Sequence, residues 1–135
     1  MEDLAIILRA AQLAAHARHH TVKGPSFFED HEFLGELYGT YEGLYDDTIE
    51  KMIGLKQPVD MAKIIRGAAN LSVSMLQRYP NVDRWFDMVL TIEESIRTEV
   101  TAVLEAGASN GVQNFLQGIA DASEKRTYLV RQRSL

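Results

Sequence analysis

The sequence predicts an all-α bundle, and three observations carry that prediction. Apolar residues recur at three- and four-residue intervals along most of the chain, the period of a helix with one buried face. Strong helix formers dominate, and runs of β-branched residues are few. Only 3 prolines interrupt 135 residues, so the helices between the breaks are long. With 46% hydrophobic content the chain is large enough for one domain, residues 1–135, with its own core.

The first helix is expected over residues 3–22, with Leu4, Ile7, Leu8, Ala11, Ala14 and Ala15 on its buried stripe. His16, His19 and His20 close it. His16 and His20 stand at i, i+4, a spacing that can chelate. Cations also gather at helix C-termini because the macrodipole favours them, and that reading is taken for His16.

The second helix is expected from about residue 27 to 54. Ser26 and Glu29 have the spacing of a capping box, and Pro25 stiffens the entry. Phe27, Phe33, Leu34, Leu37, Tyr38, Tyr41, Leu44, Tyr45, Ile49, Met52 and Ile53 recur at a period near 3.6 and supply its apolar stripe. Tyr38, Tyr41 and Tyr45 read as packing aromatics with a polar tip. Residues 55–80 form a long crossover, partly helical, in which Asp60 can cap and Gly67 and Asn70 interrupt.

Asn81 or Asp83 caps the third helix, whose stripe is Trp85, Val89, Ile92, Ile96, Val100, Val103 and Leu104. Glu93, Glu94 and Glu99 invite a metal reading. No Glu-x-x-His accompanies them, however, and that motif supplies the ligands of a centre inside a single four-helix bundle. Gly107 to Gly111 form the next break, with Asn-Gly as a turn signal. The last helix turns Phe115, Leu116, Ile119, Ala122 and Leu129 inward.

The chemistry concentrates between His19 and Glu50. Neutral imidazole with carboxylate suits iron or zinc. On one helix, with His31 at zero, Asp46 falls near ~60° and Glu50 near ~100°, so the three share a side. Along the axis, however, Asp46 lies ~22 Å and Glu50 ~28 Å beyond His31, so no single ion touches both ends of a straight helix. Either the groups are unrelated, or the helix packs antiparallel on its own copy across a two-fold axis. His19 can reach the same place over the Lys23-Gly24-Pro25 turn.

The run His19-x-x-Val22-Lys23-Gly24-Pro25-x-Phe27-x-x-x-His31, followed by Asp46-x-x-x-Glu50, resembles the motif of the Dps mini-ferritins, the family of DNA protection during starvation. The resemblance covers nearly the whole chain, including Glu124 to Arg131 in the last helix. It implies a ferritin-like four-helix bundle with a long crossover between helices 2 and 3, which run parallel. It also implies a homo-dodecamer, built from two-fold dimers, that stores iron, in the reducing cytoplasm expected of a chain without cysteine. His19 and His31 of one subunit would bind Fe(II) with Asp46 and Glu50 of the two-fold mate. Hydrogen peroxide, or dioxygen, would oxidise it to Fe(III).

Two departures bear on that site. Gly35 stands where the family has another acid, for which Glu36 or water would substitute. His20 stands where the family often has Trp, and it could join the site. Glu32 and Glu36 share a face that could meet the shell cavity and nucleate ferric oxide. Ser109 to Asn114 contain no acid, which leaves the iron entry path open. The alternative reading is a structural or DNA-associated shell whose site is weak or holds zinc.

Other classes are disfavoured by composition. There is no Cys, so neither disulfides nor thiolate ligands are available. No apolar run reaches about 18 residues and Met-Glu-Asp is no basic leader, so no membrane partner is expected. The formal charge of −5 opposes phosphate backbones, and no Lys-rich tail offsets it, so DNA binding is not expected. Lys125, Arg126, Arg131 and Arg133 are the one basic cluster, read as complementing a helix C-terminus.

Overall fold

The computed structural model describes all 135 residues and contains helices only. These are α1 (Glu2–Thr21), α2 (Phe27–Gly54), α3 (Met61–Arg78), α4 (Trp85–Glu105) and α5 (Asn110–Arg133), with a 3-10 turn at Val82–Arg84 before α4. The all-α expectation holds. No helix is long and apolar enough to cross a membrane.

Side-chain contacts fix the direction of each helix. Gln12 donates to Glu42 at 2.9 Å, His16 stacks on Tyr38 at 4.1 Å, and His19 stacks on His31 at 3.8 Å. Numbers rise along α1 as they fall along α2, so the two are antiparallel. Between α2 and α4 the numbers rise together: Phe33 lies beside Trp85, and Tyr41 bonds Glu93. Those helices therefore run parallel. The chain must travel back the length of the molecule between them, and α3 does this, spanning ~27 Å as a helix.

Gly67 and Asn70, expected to interrupt the crossover, lie inside continuous α3. Asn70 is exposed and breaks nothing. A Cβ on Gly67 would stand 3.1 Å from Ile6 Cδ1, so this glycine marks where α3 closes on α1. An ion pair of Lys63 with Glu2 at 2.7 Å and the reach of Arg18 from α1 to the Leu76 and Tyr79 carbonyls hold the same parallel pairing. Arg18 is buried, and it satisfies carbonyls that the end of α3 leaves without partners.

The caps are partly as expected. Asp60 Oδ1 accepts from Lys63 N–H at 3.1 Å and opens α3. Asn81 Oδ1 accepts from Asp83 N–H at 3.0 Å, which starts the 3-10 turn and not α4 itself. Ser26 makes no side-chain cap, because at φ −98°, ψ 16° it sits in a turn and not in the extended geometry a cap requires. Asn110-Gly111 is the first turn of α5, capped by Ser109 Oγ at 3.3 Å from Val112 N. The chain reverses earlier, at Gly107, whose φ of 97° favours glycine.

One core draws on all five helices, with Leu4, Leu8, Tyr41, Ile64, Trp85, Ile92, Ile96 and Leu116 among its fully buried members. On α5, Ala122 and Leu129 are exposed and Ser123, Thr127 and Val130 face inward, contrary to the apolar pattern. Glu93, which is 0% exposed, explains the inversion. It accepts from Tyr41 Oη at 2.7 Å, Ser123 Oγ at 2.8 Å, and Arg126 Nε and Nη2 at 2.8 and 3.1 Å. Arg97 bonds Ser123 Oγ at 2.9 Å and also Thr127. A buried carboxylate is tolerable only when paired and hydrogen-bonded, and this one is both.

The basic cluster near the C-terminus is likewise not a dipole complement alone. Arg126 pairs with Glu93, and Arg133 forks onto Asp30 of α2 at 2.9 Å through both nitrogens.

Candidate metal centre

His19 lies in the last turn of α1 and His31 near the start of α2, joined by a tight connection through Gly24, whose φ is 94°. Val22, 5% exposed, anchors that connection in the core. The two rings stack with centroids 3.8 Å apart and planes 17° off parallel. Each ring is held by the other residue's main chain. His19 Nδ1 donates to the His31 carbonyl at 2.7 Å, and His31 Nδ1 donates to the His19 carbonyl at 2.8 Å.

The chemistry of this pair follows from the partners. A carbonyl can only accept, so both Nδ1 atoms carry the proton, and both Nε2 atoms of the neutral rings keep a free lone pair. An outer hydrogen bond that fixes tautomer and orientation is the arrangement seen behind metal-binding histidines. The His19 carbonyl is one of those a helix C-terminus leaves without an intrahelical donor, so the bond also satisfies a backbone group.

Gly35 lies under the His19 ring. A Cβ there would stand 3.1 Å from His19 Cε1 and 3.3 Å from Nδ1, closer than side chains ordinarily pack. The residue that departs from the resembled motif thus makes room for one of the two imidazoles.

All 4 histidines of the chain gather here. His16 stacks on Tyr38 at 4.1 Å, and its ring centroid is 4.4 Å from that of exposed His20. Burial, then the charges of His20 and His19, lower the His16 pKa below its ordinary value, and Glu42 opposes them. Phe27 stacks on the far side of His31 at 4.9 Å.

Asp46 and Glu50 are exposed on α2 and make no ion pair or hydrogen bond within the chain. Within the chain they lie ~22 and ~28 Å along the helix from His31, as the spacing requires. Within one chain no group of three or more His, Asp or Glu side chains converges as a metal cage. Glu32 and Glu36 are also exposed on α2. Glu93 is committed to Arg126 and does not line an open site.

One feature of α2 escapes a search for ligands. Gly35, Gly39 and Gly43 repeat every fourth residue, and nothing lies within 4 Å of where a Cβ would stand on Gly39 or Gly43. At about 100° per residue they fall near ~40°, ~80° and ~120°, interleaved with Asp46 and Glu50. The signal was present in the sequence as a small-xxx-small run, the pattern that lets two helix backbones approach closely. Compared with protein-family models, curated proteins and solved structures, the chain gives no match.

Proposed function

We propose that the chain is a Dps-like ferroxidase, a ferritin-like bundle that oxidises Fe(II) at a two-fold subunit interface and keeps the Fe(III) within a homo-oligomeric shell. The observation that carries this reading is the reciprocal hydrogen-bonded pair of His19 and His31, each with Nε2 open. Parallel α2 and α4, joined by a crossover the length of the molecule, support the bundle topology.

The glycine run supports the two-fold. Gly39 stands eight residues after His31, and eight residues after Gly39 is Asp47, between Asp46 and Glu50. If α2 crosses its copy antiparallel over Gly39, each subunit's imidazoles face the other's carboxylates, and two equivalent sites result. The bare glycine backbone permits close approach at that crossing.

In this reading Fe(II) is the substrate. His19 and His31 hold it through Nε2, and the partner's Asp46 and Glu50 add anionic oxygen, which favours the ferric state as positive charge builds. One hydrogen peroxide takes an electron from each of two Fe(II) ions, and with two protons becomes two waters. The dodecameric state and the preference for peroxide over dioxygen rest on the resemblance.

Stopped-flow oxidation of Fe(II) by peroxide tests the proposal. His31→Ala should slow it by about tenfold to a hundredfold, and Asp46→Asn should do likewise although it lies at the far end of α2. A wild-type rate in His31→Ala, or a strictly monomeric mass in solution, would sink it.

A further inference from the structure

The cluster at the end of α1 holds a second pair of imidazoles that the iron reading does not use. His16 and His20 are one turn apart, with ring centroids 4.4 Å from each other. In contrast to His19 and His31, neither ring hydrogen-bonds within the chain, so all four of their nitrogens are open to a ligand.

The two rings differ in freedom. His16 is seated, stacked on Tyr38 of α2 at 4.1 Å and 28°. His20 is exposed and can turn about its side-chain bonds. One fixed and one adjustable ligand at i, i+4 can bring two nitrogens to the ~2.0–2.1 Å that zinc requires. Across from this pair, Gln12 Nε2 of α1 donates to the Glu42 carboxylate of α2 at 2.9 Å and holds an anionic group on the same helix pair.

We propose that His16 and His20 form a separate site for a borderline divalent transition cation, with zinc as the natural occupant and water completing its shell. A donor set of imidazoles without thiolate or direct carboxylate ranks Fe(II) below Zn(II), Ni(II) and Cu(II). Fe(II), the ion proposed as substrate at neighbouring His19, would bind here more weakly than zinc. The site requires neither a partner subunit nor ferroxidase activity, and it stands or falls apart from that reading.

The test is calorimetric titration of the full chain with zinc chloride alone. Wild type should show a zinc-binding event that His20→Ala weakens by about tenfold or more, as loss of one of two protein ligands requires. His31→Ala should retain that event. Because His20 is exposed, its replacement leaves the packing intact, and circular dichroism of His16→Ala shows whether that second variant is folded. A His20→Ala isotherm that overlays wild type, or disappearance of the same event in His31→Ala, would overturn the assignment.

Discussion

At the scale of single residues, the chain places its polar chemistry by pairing. Tyr41 is buried, and burial, then the charge of Glu93 and the hydrogen bond to it, hold its pKa well above the ordinary 10.0, with Arg126 opposing. The phenol of the unfolded chain releases its proton near 10.0, while the folded one keeps it. The folded state therefore binds more protons at alkaline pH, and the stability Tyr41 contributes is present below that value and lost as pH rises past it. Tyr41→Phe should cost about 1.5–3 kcal/mol at neutral pH, the scale of a hydrogen bond to a charged group. It should also flatten the fall of the urea midpoint above pH ~10. A wild-type midpoint that is level through that range would contradict this account. The pairing of His19 with His31 was legible in the sequence because their type and spacing are unusual, while Asp46 and Glu50 stood out likewise but lie apart from them within the chain. Glu93 with Ser123, Arg126 and Thr127 was not. Ser123 and Thr127 read as surface by pattern, and only the contact of three helices shows that Ser123 serves a buried carboxylate and Thr127 takes up Arg97 beside it.

At the scale of elements, α1 and α2 were readable to within a residue or so, because their stripes are regular and the Lys23-Gly24-Pro25 turn is an unambiguous break. The long crossover was expected and is found, but the break expected at Gly67 is absent, because glycine has two uses that sequence cannot separate, ending a helix and letting two helices touch. Gly67 has the second use against Ile6, whereas nothing lies within 4 Å of a Cβ on Gly39, and the proposed two-fold would give it that use. That gives a clean test. Gly39→Leu should stabilise an isolated subunit, since leucine exceeds glycine in helix propensity by about 0.8 kcal/mol and nothing lies near its Cβ. The same change should block a close antiparallel crossing, shift the sedimenting mass towards monomer and reduce iron oxidation. Unchanged mass would remove the glycine run from the proposed interface.

At the scale of the whole molecule, charge decides what the surface will accept. The formal net charge is −5, and of the four basic residues near the C-terminus, Arg126 and Arg133 are engaged by Glu93 and Asp30. Lys125 and Arg131 remain exposed, too few to neutralise a phosphate backbone. A gel shift with linear duplex DNA at low salt should therefore show no retardation, and retardation that fades with added salt would show a basic surface formed on assembly.

The mutual grip of His19 and His31 has one last implication. Neither imidazole is aimed by its own helix alone, for each depends on the backbone of the other. Fraying where α1 hands over to α2 would disarm both together, so in the proposed reading readiness to take up an ion would be an all-or-none property of that joint. An ion gripped by either ring would in turn tighten the joint, and occupancy and local order would rise and fall as one.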